Sequence, residues 1–238
     1  MRSRLAGLES SGACLQSLVF LLAVVPISLL HASANLAPDE QQAPPTPLVW
    51  PTKFIANGTE TFPSSNASGL GFSFAYDLSY VDPLTEIKGA QRIFRNAGTL
   101  DNQCQAVRPG AACTQLAVGG QRYLLFSDYC CRCCSWEHGC GPLSATWTEG
   151  ATFRGTRVVA GEKCDVYHIA AVEPVGNKTD SLSVHVGDGR LCELDTHSGE
   201  EQFIFDPSTY KTAIPAGLFA RPDGCDTWCG PKYACAMQ

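Results

Sequence analysis

The chain has 238 residues, 13 cysteines and a formal net charge of −6, with 45% hydrophobic and 17% charged residues. An acidic balance without charge runs argues against nucleic acid and anionic membrane surfaces as partners, since both require a basic patch. The length left after an N-terminal leader suits one all-β domain or two small domains.

Arg2 and Arg4, an apolar stretch from Leu15 to Leu30 and the small-residue site Ala32-Ser33-Ala34 read as a secretory signal peptide, residues 1–34, cut after Ala34. The alternative, a retained membrane anchor, falls short of the roughly 20 apolar residues that span a bilayer, and Pro26 interrupts it. No later stretch is long enough, so the processed chain is expected to be secreted or lumenal, without stable membrane insertion. Cleavage removes Arg2, Arg4, Glu9 and Cys14, leaving a charge of about −7 and 12 cysteines. An even number in an oxidising compartment is expected to pair completely. The sequons at Asn57, Asn66 and Asn177 agree with export as glycosylation sites.

Residues 35–47 are rich in Pro, Ala and Gln, a composition that favours an extended linker over a core. Residues 48–238 are then a single disulfide-rich β domain. In GFSFAYDLSY, Phe72, Phe74, Tyr76, Leu78 and Tyr80 alternate with small or polar residues, the period of a strand with one apolar face. Weaker strands are predicted at 90–95, 115–118, 123–126, 152–159, 164–172, 182–186, 191–194 and 202–205. Turn signals separate them, among them Gly119-Gly120 and Gly187-Asp188-Gly189. No sustained helical period occurs. The expected fold is all-β and mainly antiparallel, a single strongly curved sheet or half-open barrel, with an irregular tail from Ile214 wrapped back and pinned by cysteines.

The densest motif is SDYCCRCCSWEHGCGPL, residues 127–143. Cys130 with Cys133 and Cys131 with Cys134 are interlocked CxxC pairs, which admit three readings. A zinc site, completed by His138, would need adjacent cysteines to converge on one ion, whereas neighbours on an extended backbone point to opposite faces. A thioredoxin-type centre needs a helix N-terminus in a βαβ unit, and none is read here. Separate disulfides to distant partners suit the opposed directions of Cys130 and Cys131. The bridge-forming residues are then Cys104, Cys113, Cys130, Cys131, Cys133, Cys134, Cys140, Cys164, Cys192, Cys225, Cys229 and Cys235. Cys104–Cys113 and Cys164–Cys192 are expected across hairpin-like segments, and the last three are expected to bind the tail to the cluster.

The run QRIF, YLLF, CCRCCSWEHGCGPL, ATFRG, GEKCDVYHI, FDPSTY and IPAGLFARPDGC resembles an uncharacterised secreted, cysteine-rich family of plants, algae and protists with a CC-x-CC cluster followed by Gly-Cys-Gly. The resemblance covers roughly residues 50–235. ATFRGTRVVAGEKCDVYHI is more loosely similar to ependymin-related proteins and to the LolA/LppX lipoprotein carriers. This second resemblance implies a half-open barrel holding an apolar ligand in its bowl.

No catalytic motif is present: GxSxG, HExxH, GxxxxGK[ST] and GxGxxG are all missing. The histidines left after cleavage are His138, His168, His185 and His197; His168 and His185 sit within predicted strands and read as packed or outward-facing, and His138 as a surface or structural side chain. Asp188, Glu193 and Asp195 lie near a turn without the spacing of a calcium loop. No catalytic residue, metal or cofactor is assigned. The expected function is non-catalytic binding of a hydrophobic or amphipathic, lipid-like small molecule, lined by Phe72, Phe74, Tyr76, Leu78 and Tyr80, side chains that plain core packing would also explain. A structural or adhesive glycoprotein with protein or glycan partners is the alternative, and a hydrolase with scattered carboxylates a third. Oligomeric state is left open.

Overall fold

A computed structural model of the chain describes residue 45 and residues 48–170, 179–196 and 199–230. The signal peptide, nearly all of the linker, Asn177, His197 and Cys235 lie outside the described residues.

The chain runs through β1 (Lys53–Phe62), β2 (Ala67–Val81), β3 (Lys88–Arg95), the short helix α1 (Asn102–Val107), β4 (Cys113–Val118), β5 (Gln121–Leu125), β6 (Cys130–Ser135), β7 (Thr152–Val159), β8 (Glu162–Ala170), β9 (Thr179–His185), β10 (Leu191–Thr196) and β11 (Glu201–Phe205). All eleven strands form one open antiparallel sheet, in the order β6-β5-β4-β3-β2-β1-β11-β10-β9-β8-β7. Two meanders are thus joined where β1 pairs with β11. Among the described residues no helix is long and apolar enough to cross a membrane.

The connection from β6 to β7 requires the sheet to curve. These strands are its two edges, and in a flat sheet ten spacings of about 4.8 Å would separate them by roughly 48 Å. Residues 136–151 must bridge that gap, yet Trp136–His138 is a tight 3₁₀ turn and residues 145–150 are turns. Fully extended chain reaches at most about 3.5 Å per residue and turns much less, so the edges have to approach each other. The connection crosses the concave side. Tyr76 Oη donates to Leu143 O at 2.6 Å, and Leu143 N donates to Gln91 Oε1 at 2.9 Å.

Register fixes which residues face inward. Phe54 pairs with Tyr76, Ala56 with Phe74 and Gly58 with Phe72. Phe74 also pairs with Ile93, Gly58 with Phe205, and Leu194 with both Phe203 and Leu182. Paired residues share a face, and these form one aromatic core with Trp50, Tyr167 and Val184. Gly58 is required at its position: a Cβ there would run into the Ile204 carbonyl and the Phe72 ring.

The outer face of the β2–β6 half is covered by the C-terminal tail, whose Phe219 and Cys225 pack with Ala75, Leu116, Val118 and Tyr123. The tail then rounds the β6 edge. Arg132 N donates to Thr227 O and Cys229 N donates to Arg132 O, a short parallel bridge that caps what would be an open edge.

The cysteine cluster lies on β6 and is a set of disulfides. Cys130 bonds Cys225, Cys131 bonds Cys229, and Cys134 bonds Cys140 six residues on. Cys133 is also disulfide-bonded, its partner lying outside the described residues. Cys104 bonds Cys113, and Cys164 bonds Cys192. Adjacent Cys130 and Cys131 do point to opposite faces, one into the outer core and the other beside Leu124. Five disulfides among the described residues belong to a chain that matures in an oxidising compartment.

Candidate functional site

Four of the five alternating residues of β2 are brought together on the inner face. Phe72, Phe74 and Tyr76 are buried and Leu78 packs against the same core. Rings surround them: Trp50 lies edge-on to Phe54 and Tyr76, and Phe72 edge-on to Phe203 and Phe205. Burial pushes the Tyr76 phenol up to about 12, so the group stays a hydrogen-bond donor to the crossing connection. Tyr80 stands elsewhere. The register of β2 against β3 shifts between Asp77 and Val81, and Tyr80 packs with Phe219 beneath the tail, ring centroids 5.4 Å apart.

The inner face is roofed. Leu48 and Trp50 from the entering chain, and Leu143, Trp147 and Ala151 from the crossing connection, pack over the aromatic core. Trp147 lies edge-on to Trp50 at 5.0 Å. Its indole N–H is buried and has no hydrogen-bond partner among the described residues.

A cleft of about 300 Å³ opens at one end of this face, lined by Val49, Pro51, Val184, Asp188, Gly189, Arg190 and Tyr210. That volume lies at the small end of the range for small-molecule sites. Three segments form it. The chain entering β1 supplies Val49 and Pro51, the β9–β10 hairpin supplies Val184 and residues 188–190, and the 3₁₀ turn Pro207–Thr209 leads into Tyr210. Tyr210 is stacked on Phe54, with centroids 5.8 Å apart and planes 6° from parallel, so the cleft wall is continuous with the aromatic core.

The hairpin is held by Asp188. Its Oδ1 accepts from Arg190 N at 3.0 Å and lies 2.9 Å from His185 Nδ1, while Oδ2 accepts from Arg190 Nε at 2.6 Å. Slight burial works against ionisation, but these hydrogen bonds outweigh it and hold the carboxyl below its usual range. Arg190 Nη1 donates to Pro207 O at 3.0 Å, tying the hairpin to the turn before Tyr210. His185 Nε2 also lies 3.2 Å from Glu162.

The acidic residues near this turn do not converge. Glu193 pairs with Arg157 and Asp195 accepts from Gln202, while Asp188 serves the hairpin. Among the described residues no group of three or more His, Cys, Asp or Glu side chains is placed to hold a metal ion. His168 is exposed, and His138 Nδ1 lies 2.8 Å from Ser135 Oγ. Trp136 lies over Gly141.

A second polar group went unread in the sequence. On the inner face beside Phe203, the buried Arg95 guanidinium meets Glu60, Asp101 and Glu201, and Thr99 Oγ1 donates to Glu60. Its members are scattered along the chain from Glu60 to Glu201, with no spacing to reveal them.

No family model and no curated protein matches the chain, so the resemblances to the cysteine-rich family and to ependymins remain likenesses of motif. Among solved structures, a conserved uncharacterized protein of Thermus thermophilus is similar over 74% of this chain and 89% of its own, at 10% identity and a TM-score of 0.43. The Mycobacterium tuberculosis lipoprotein LppX is similar over 68% of this chain and 87% of its own, at 13% identity and a TM-score of 0.40. A chain of the Pseudomonas aeruginosa MucA/MucB complex is similar over 74% of this chain and 57% of its own, at 12% identity and a TM-score of 0.39. At these values the likenesses say nothing of ligand or partner.

Proposed function

We propose that this is a secreted, non-catalytic protein that binds a small hydrophobic or amphipathic molecule at the end of its aromatic inner face. One observation carries the reading: a cleft with apolar walls at Val49, Pro51 and Val184 is continuous, through the Tyr210–Phe54 stack, with the aromatic core. Concave apolar surface with a few polar groups at one lip is the usual make-up of a ligand site. The ligand's apolar body lies against Tyr210 and Val184. Phe72, Phe74, Tyr76 and Leu78 form the deeper wall, reached when Trp50 yields to a longer chain. The exposed sequons at Asn57 and Asn66 are glycosylated in this reading.

Native mass spectrometry of the protein purified from a secreting host tests the reading, together with titration of fatty acids and phospholipids. Co-purifying apolar mass, or binding that Val49→Trp abolishes, is the expected result. Val49 is 70% exposed, so a larger side chain there fills the cleft mouth without entering the core. An empty protein that also binds none of these lipids overturns the proposal in favour of a structural or adhesive role.

A further inference from the structure

The polar lip of the cleft carries uncommitted donors. Asp188 already accepts two bonds from Arg190 and faces His185, so it offers little to an incoming group. Arg190 spends Nε on Asp188 and Nη1 on Pro207 O. Its Nη2 makes no hydrogen bond to any described residue, and neither does the Tyr210 hydroxyl. Both residues line the cleft. Burial, and then the neighbouring Asp188 charge, push the Tyr210 phenol up, so the hydroxyl remains a donor at neutral pH.

Resting on the cleft as the ligand site, we propose that it selects amphiphiles with a carboxylate head, received by Arg190 Nη2 and Tyr210 Oη. Each of these two groups can donate to one carboxylate oxygen, and charge-assisted hydrogen bonds are the strong ones. A phosphate monoester would bring a second negative charge toward Asp188. A cationic head would meet Arg190 and an Asp188 whose oxygens are engaged. A neutral alcohol offers a single oxygen and no charge. The apolar walls take the first part of an alkyl chain, and the cleft volume limits how much of it fits without moving Trp50.

The experiment titrates decanoate, decanol and decyl phosphate into the full processed protein and into Arg190→Gln and Tyr210→Phe. Tyr210→Phe keeps the ring stacked on Phe54 and removes only the hydroxyl, so it reads the head group even if Arg190→Gln loosens the hairpin. The expected result is decanoate bound at least about tenfold more tightly than decanol, the scale of one charge-assisted hydrogen bond. Each variant should weaken decanoate by about 5- to 20-fold and decanol by clearly less than decanoate. Equal binding of decanoate and decanol, or equal loss of both in the variants, overturns the carboxylate assignment while leaving the cleft a ligand site. Tighter binding of decyl phosphate overturns it in favour of phosphate. If none of the three binds to the unaltered protein, the ligand-site reading falls first and this assignment with it.

Discussion

Arg95 shows how much of the inner face depends on one side chain. It is 2% exposed, its guanidinium carbon lies 4.9 Å from the Phe203 ring centroid, and it meets three carboxylates from β1, β11 and the residue that caps α1. A buried charge survives only when paired, and removing one partner leaves the others uncompensated. Arg95→Met should therefore cost about 3–5 kcal/mol, by stranding Glu60, which is fully buried and left with Thr99. Adding Glu60→Gln to Arg95→Met should recover part of that loss, because the stranded charge is then gone. Urea unfolding of the two variants decides it. A cost for Arg95→Met below about 1 kcal/mol would show that water already reaches these carboxylates, contrary to their burial.

At the scale of elements, the strand β2 was legible because its apolar alternation is unbroken from Phe72 to Leu78. β1 was not read as a strand although it lies at the centre of the sheet. Its inward positions are Phe54, Ala56, Gly58, Glu60 and Phe62, and a glycine needed for close approach and an ion-paired glutamate break the period. The helix α1 has six residues, too few for a helical period, and its cap shows only in structure: Asp101 Oδ1 accepts from Cys104 N at 2.8 Å. The cleft was illegible for another reason, since its three segments come together only when the β1–β11 pairing joins the two meanders. The aromatic core is roofed by two tryptophans of unequal standing. Trp50 is 2% exposed with rings on four neighbours, whereas Trp147 is only partly buried and has one ring contact; the buried indole N–H of each lacks an acceptor among the described residues. Large aromatic-to-Ala changes in cores cost about 3–5 kcal/mol, and each ring pair lost adds about 0.5–1.5 kcal/mol beyond the area buried. Trp50→Ala loses three more ring pairs than Trp147→Ala and should thus destabilise by at least about 1.5 kcal/mol more. Equal losses in urea unfolding would mean that the connection is as firmly seated as the strands below it.

For the molecule as a whole, the tail disulfides act as one device. Cys130–Cys225 and Cys131–Cys229 span 95 and 98 residues, and cross-linking a loop of that length restricts the unfolded chain by about 4.7 kcal/mol. The two bridges start at adjacent residues and end four apart, so once one is closed the other closes a loop of only about five residues, worth roughly 2 kcal/mol. Their effects on stability cannot then be independent. In a background with Cys133 and Cys235 already replaced by serine, so that the Cys133 bridge is absent throughout, replacing both cysteines of either bridge by serine should cost about 2 kcal/mol, since the remaining bridge still holds the tail on the outer core. Removing both bridges in that background should cost about 7 kcal/mol, well beyond the sum of the two single losses, and should expose Leu116 and Tyr123 as Phe219 leaves them. The doubled CxxC motif shows the opposed directions of Cys130 and Cys131, but not that both bridges reach the same few residues of tail. Thermal or urea unfolding of the three variants under non-reducing conditions measures the coupling. If the two single losses add to the double one, each bridge stabilises its own region, and the tail is held by packing rather than by this pair.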